Sequence, residues 1–258
     1  MQQSTQTKLF SQPRIRFLNN TLLIDDEVLV FGDFHLGIQE HLGGLPAVQT
    51  KEIFENLREI FDYLARLQIK VKKIVVLGDF KHKFGEISDS EWRESVRLLD
   101  YFIEKVGRGG IVLIKGNHDT ILEPIARKRK LKLENFYVYE DIAFMHGHKA
   151  YAEVMKDKKN NKIKILVVGH LHPTITLKDE YKRERYKCFL FGKWKGKIVY
   201  ILPSFGDSGP GFDLAKKEHF KTKGALFVDE KKLGDFEVII YDNKAKKDYN
   251  FGKVKKLI

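Results

Sequence analysis

The chain of 258 residues has one cysteine, Cys188, so no disulfide can close within it, and a reducing cytoplasm is the expected setting. Long apolar runs are missing as well. Nothing approaches the ~18 apolar residues that a membrane span needs. The opening MQQSTQTKLFSQP lacks the basic-then-apolar order of a secretion signal, and no membrane partner is expected. Acidic residues are in deficit: 35 Asp and Glu against 47 Lys and Arg leave a formal net charge of +12. A heat-adapted surface enriches Lys and Glu together and does not require that imbalance. A polyanion is therefore the expected partner, nucleic acid before a phosphorylated small molecule. Repeats, low-complexity tracts and long linkers are absent too. One domain over 1–258 is expected, with a motif-bearing half at about 20–175 and a strand-rich half at about 176–258.

What the sequence does contain is enough apolar material for a sizeable core, 43% against 32% charged residues. TLLIDDEVLVF (21–31) reads as a hairpin about Asp25 and Asp26 that leads into a buried strand. Val48, Phe54, Leu57, Phe61, Leu64 and Leu67 recur at helical spacing, and KKIVVLGDF reads as a second buried strand. Ser88, followed three residues on by Glu91, is a capping-box signature. It opens a helix through Trp92, Val96, Leu99 and Phe102 that stops at Gly107. GGIVLIKGNHD, IAFMHGH and KIKILVVGHLH supply three more buried strands. After Pro173 the helices give way: TITLKDE, YKCFLFGKW, KIVYILPSF, GALFVDE and FEVIIYD read as strands joined by turns. The pattern predicts an α/β protein with one sheet of strand–helix units and a second, more antiparallel sheet stacked on it. The lysine-rich stretches 156–164 and 244–247 read as solvated loops.

Polar residues concentrate where the buried strands stop. VFGDFHLG places Asp33 and His35, VVLGDFKH places Asp79 and His82, and VLIKGNHD places Asn117, His118 and Asp119. AFMHGH adds His146 and His148, and VVGHLH adds His170 and His172. In layered α/β folds the loops at the carboxyl ends of strands line one crevice, so the five sets can converge. Of the nine histidines, only His41 and His219 lie elsewhere. Any one of the others, taken singly, is more ordinary as a structural histidine. Together, beside aspartates, an asparagine and glycines that allow close backbone approach, they point to metal binding. Imidazole mixed with carboxylate and amide oxygen suits Mn, Fe, Ni or Zn better than Ca or Mg. The lack of cysteine argues against a closed structural zinc site. There are too many ligands for one ion, which implies two.

The order D-x-H, GD, GNHD, H, GHxH, from Asp33 to His172, resembles that of the calcineurin-like metallophosphoesterases. GDFKHKFGE and the later ILPSF are similar to the branch of DNA ligase-associated and ICC-like phosphoesterases. The resemblance covers more than half of the chain. It implies a four-layer αββα sandwich of two mixed β-sheets flanked by helices, with a two-metal site between the sheets. Carried over motif by motif, Asp33, His35 and His172 would hold one ion, Asn117, His146 and His170 the other, and Asp79 would bridge them. Mn²⁺ is the first choice of metal, with Fe, Ni, Zn and Mg as alternatives. The implied reaction is hydrolysis of phosphodiesters, and of phosphomonoesters as a variant, by a hydroxide that the two cations generate between them. His118, which holds no metal in this mapping, would protonate the leaving oxygen, with Asp119 orienting and charging its imidazole.

On charge, nucleic-acid strands or ends are the expected substrate, and a DNA-repair partner such as a helicase or ligase follows from the resemblance. The alternatives are a small-molecule phosphodiesterase acting on cyclic or modified nucleotides, and a non-catalytic nucleic-acid-binding subunit that retains the fold. The full ligand set argues against the last. His82 is open between contacting substrate phosphate and supporting the ligands, and His148 is similarly open. His41 reads as an exposed loop histidine. Turn chemistry alone explains the glycines and prolines of PSFGDSGPGF, a loop placed to rim the crevice. The basic stretches 127–132 and 182–187, with Tyr137, Tyr181 and Tyr186 nearby, offer a surface for unpaired bases. The plainer reading is lysines and tyrosines on solvated strands.

Overall fold

Asp25 and Asp26 both take left-handed backbone angles, φ 52° and 57°, the pair of positive values that lets a tight hairpin follow the twist of its strands. They join β2 (Thr21–Ile24) to β3 (Val28–Phe31), and β1 (Ile15–Leu18) lies antiparallel on the far side of β2. The structure is a computed structural model that describes residues 14–155, 163–178, 181–206, 209, 211–216, 218 and 227–257. Beyond β3 come α1 (Ile38–His41), α2 (Pro46–Arg66), β4 (Lys73–Val76), α3 (Asp89–Val106), β5 (Ile111–Ile114), α4 (Glu123–Lys128) and β6 (Leu133–Glu134). The six strands form one sheet in sequence order, parallel from β3 to β6.

Pro46 presets the first turn of α2. The helix buries Ile53, Phe54, Leu57, Ile60 and Leu64, while Val48 and Leu67, at its two ends, are exposed. The capping box of α3 forms as read: the Ser88 hydroxyl accepts from the Glu91 N–H at 3.2 Å, and Glu91 Oε2 accepts from the Ser88 N–H at 2.9 Å. Gly107, at φ 70°, ends the helix.

The second sheet begins at a turn through Glu140 that joins β7 (Phe136–Tyr139) to β8 (Ile142–Met145). It continues through α5 (Ala152–Met155), β9 (Ile165–Val168), β10 (Pro173–Lys178), β11 (Arg183–Lys187), β12 (Phe189–Trp194) and β13 (Lys197–Ile201). Then follow β14 (Phe212–Asp213), α6 (Glu230–Leu233), β15 (Glu237–Asp242) and β16 (Lys247–Lys253). Seven strands pair in the order β16-β15-β12-β13-β9-β8-β7, and β11, β10 and β14 form a separate small sheet. The motif strands are therefore divided, three in the first sheet and two, β8 and β9, in the second, where β9 runs parallel to both β8 and β13.

Two readings of the strand-rich half need correction. Residues 224–226 of GALFVDE lie outside the described residues, and the remainder gives a bend and then α6, whose first turn Asp229 caps by accepting from the Lys231 N–H at 3.0 Å. Lys247 opens β16 rather than ending a loop. Of the stretch 156–164, residues 156–162 lie outside the described residues.

Alternation along the strands builds three apolar layers. Ile74 and Val76 face α2, α3 and α4 across one core. Val75 and Leu77 face Phe144 and Val167 in a core between the two sheets. Met145 and Val168 face outward onto a third, closed by Val154 of α5, Leu233 of α6 and Ile175 of the small sheet. The order is helices, sheet, sheet and an outer cover made of two single-turn helices and the small sheet. No described helix is long and apolar enough to cross a membrane.

Candidate metal centre

The carboxyl ends of β3, β4, β5, β8 and β9 meet at one end of the two stacked sheets, and backbone bonds tie the loops together. The Phe34 and His35 N–H groups donate to the Asp79 carbonyl at 3.1 and 2.9 Å, and the Gly169 N–H donates to the His146 carbonyl at 2.9 Å. The approach is close enough to need glycine. A Cβ on Gly116 would lie 2.1 Å from Asp79 Oδ1, and one on Gly169 would lie 2.5 Å from Asp33 Oδ2. His35, Asp79, His170 and His172 all carry left-handed φ, 45°, 46°, 68° and 50°. Such backbone costs about 1–3 kcal/mol per residue outside glycine and persists where the surroundings enforce it.

Three groups of donors come together, each with its atoms within 4.8 Å of one another: Asp33, His35 and His172; Asp79, His146 and His170; and His35, His82 and His118. Asn117 joins the second, its Oδ1 2.9 Å from His146 Nε2. Asp33, His35, Asp79 and His146 are all buried. Imidazole nitrogens turn toward each other: His35 Nε2 and His172 Nε2 are 3.3 Å apart, and His146 Nε2 and His170 Nδ1 are 3.0 Å apart. Two neutral imidazoles cannot bond through two lone pairs, so each gap calls for a proton or a cation. His146 Nδ1 lies 2.9 Å from the Leu77 carbonyl. A proton there donates to that carbonyl and leaves the Nε2 lone pair facing the cluster, a standard way of orienting a ligand. The donor set is nitrogen and oxygen only, and it fits a divalent transition-metal ion.

The electrostatics agree with that chemistry. Burial opposes ionisation of Asp33, yet His172 and His146 hold its carboxyl below the ordinary range. Burial also opposes ionisation of Asp79, but His146, His35 and His118 outweigh it and hold that carboxyl well below the ordinary range. Burial pushes His35 down to about 3 and His170 down to about 4, so both imidazoles are neutral near pH 7, as metal ligation requires. His146 is lifted to about 9, since Asp33 and Asp79 overcome its desolvation. A proton and a cation therefore compete for its Nε2.

The remaining candidates divide. His82 is half-buried, with Nδ1 3.3 Å from His35 Nδ1 and its ring stacked on His118 at 5.4 Å. The His148 ring lies 5.2 Å from that of His146, and its buried Nδ1 has no hydrogen-bond partner among the described residues. His41 is exposed, but it ends α1 rather than lying in a loop, 5.3 Å from His82 between ring centres.

Asp119 does not orient His118. Its Oδ1 accepts from the Phe80 N–H at 2.9 Å and its Oδ2 from the Gly116 N–H at 2.9 Å, so the carboxylate ties its own loop to the one after β4. Burial and the neighbouring Asp79 raise it to about 6. His118 Nδ1 instead faces the His82 carbonyl.

Two supporting residues escaped the sequence reading. Lys81 is fully buried, and its Nζ donates to the carbonyls of His118, at 2.8 Å, and Lys83. Glu91, beyond its capping role, accepts through Oε1 from the N–H groups of His82 at 3.0 Å and Lys83 at 2.7 Å. The available signal was position: Lys81 falls between two motif residues, and Glu91 is an acid inside the first turn of a helix that follows the motif.

Several cations of the basic stretches have partners within the chain. Arg129 makes two bonds to Asp100, at 2.9 and 2.8 Å, and Lys128 lies over the Trp92 ring. Lys182 pairs with Glu184, Arg185 lies 3.7 Å from Asp213, and Lys187 Nζ donates to the carbonyls of Ser204 and Gly206. Tyr137 stacks on Phe144 of the inter-sheet core, with Lys73 over its ring, and is no platform for a base.

A family model described as calcineurin-like phosphoesterase matches residues 27–195. No curated protein matches the chain. Among solved structures, the nuclease MPE of Pseudomonas putida has a TM-score of 0.58 at 18% identity, over 92% of this chain and 94% of that one. Yfce, a phosphoesterase from E. coli, has a TM-score of 0.38 at 14% identity, over 88% of this chain and 98% of that one. At this identity the first likeness is one of fold.

The place of Asp119 has a measurable consequence. Asp119→Ala leaves two buried N–H groups without an acceptor and should lower unfolding stability by about 2 kcal/mol or more. An unchanged denaturation midpoint would return Asp119 to service of the His118 imidazole.

Proposed function

The chain belongs to the calcineurin-like phosphoesterases, which are metal-dependent hydrolases; from that premise we propose that it cleaves phosphodiester bonds in nucleic-acid strands or at their ends. We assign one divalent ion to Asp33, His35 and His172 and a second to Asn117, His146 and His170, with Asp79 between them. One observation carries the two-ion reading: Asp79 Oδ2 lies 3.6 Å from His35 Nε2 and 3.3 Å from His146 Nε2, so a single carboxylate oxygen borders both donor groups. Divalent ions held there, with Mn²⁺ the first choice by family resemblance, would lower the pKa of water and neutralise phosphate oxygens during in-line attack.

The side chains do the rest. The His170 N–H, 3.0 Å from Asp33 Oδ2, fixes that carboxylate, and the His118 N–H, 2.9 Å from Asp79 Oδ1, fixes the other. A proton on His118 Nδ1 is donated in a hydrogen bond to the His82 carbonyl. Nε2, 3.9 Å from Asp79 Oδ2, is left to pass its proton to the leaving oxygen. His148, its ring 5.2 Å from that of His146, is the candidate contact for a phosphate oxygen. Support for a nucleic-acid substrate comes from the net charge of +12 and from the likeness of fold to a nuclease, not from the two basic stretches.

Two experiments test this reading. p-Nitrophenolate leaves without an acid, whereas a ribose alkoxide does not. His118→Ala should therefore lose ~10²–10⁴-fold on nucleotide diesters and far less on bis-p-nitrophenyl phosphate. Equal losses on both would give His118 another role. For the substrate, log kcat/KM against log salt should fall by ~0.7 for each phosphate gripped on a single-stranded oligonucleotide. A flat slope, with a cyclic nucleotide preferred, would overturn the nucleic-acid assignment.

A further inference from the structure

Phe84 is 59% exposed at the edge of the metal centre, and none of the three apolar cores includes it. Its ring lies against His118, with centroids 3.8 Å apart and planes at 43°. This contact is held from several sides. Glu91 Oε1 accepts the Lys83 N–H at 2.7 Å, and the Lys83 carbonyl accepts from Lys81 Nζ, so the residue before Phe84 is fixed at both of its backbone polar groups. Gly85, at φ 66°, then turns the chain. His118 is pinned by Asp79 through its N–H and by Lys81 through its carbonyl. Other rings gather about it: His82 stacks on His118 with planes at 24°, and the His41 ring lies 5.3 Å from that of His82.

A large apolar ring kept in water, set by buried charged groups and belonging to no core, is unexplained by packing. We infer that Phe84 is the stacking platform for a planar ring on the leaving side of the scissile phosphate, the base of an unpaired nucleotide. The inference rests on the reading of His118 as the group beside the leaving oxygen. Any base has a π-face, so such a platform favours unpaired nucleotides with little regard to sequence. It offers nothing to an aliphatic diester or to a base locked within a duplex stack.

The test uses inhibition of bis-p-nitrophenyl phosphate hydrolysis by the Mn²⁺-loaded protein, comparing AMP with ribose 5-phosphate. The two inhibitors share a sugar phosphate and differ in the base. In the native protein AMP should bind about tenfold more tightly, the scale of one base–aromatic stack. Phe84→Ala should bring the ratio of inhibition constants close to one, and Phe84→Trp should keep or raise it. A native ratio near one, or a ratio unchanged in Phe84→Ala, overturns the platform. Should oligonucleotides prove inert while AMP keeps its advantage and Phe84→Ala removes it, the platform stands and the nucleic-acid reading alone fails.

Discussion

The site depends on keeping one carboxylate ionised where water cannot reach it. Asp79 is almost wholly buried, and burial alone would protonate it. The imidazoles of His146, His35 and His118 reverse that preference. Asp79 also organises its surroundings through other atoms. Its carbonyl takes the N–H groups of Phe34 and His35 from the neighbouring strand end, and its Oδ1 takes the N–H of His118 from the next. Three of the five motif loops are thus registered to a single residue, so a shift there would move donors in both clusters at once.

That registry explains why the backbone around it is costly. Left-handed angles at His35, Asp79, His170 and His172 would not survive on an isolated loop. Here the ends of two sheets, packed through Val75, Leu77, Phe144 and Val167, leave the loops little alternative. Gly116 and Gly169 remove the Cβ atoms that would otherwise strike the carboxylates. Beneath the loops lies a second tier of buried charge, in which Lys81 and Glu91 bond the backbone of His82, Lys83 and His118.

Much of this was legible. The alternating apolar strands, the Asp25–Asp26 hairpin and the Ser88–Glu91 box are local patterns, and local physics decides them. The convergence of donors was legible because glycine, aspartate and histidine recur at the carboxyl ends of apolar strands. What escaped depends on partners distant in sequence. No local pattern says that β9 pairs with β13 rather than joining the first sheet. β16 is exposed along almost its whole length and has no apolar face to announce it. Asp119 follows His118 directly, but adjacency does not fix direction, and its carboxylate turns back to Gly116. Lys81 looks like any surface lysine until two carbonyls are seen to receive it. The pairing of Arg129 with Asp100 and of Arg185 with Asp213 likewise joins residues that no local pattern connects.

The central claim is that two divalent ions share Asp79. Calorimetric titration of chelator-stripped protein with Mn²⁺ tests it without reference to any substrate. The account predicts two equivalents per chain in the native protein, with both sites weakened together by Asp79→Asn. One equivalent or none, or two sites undisturbed in Asp79→Asn, would contradict it.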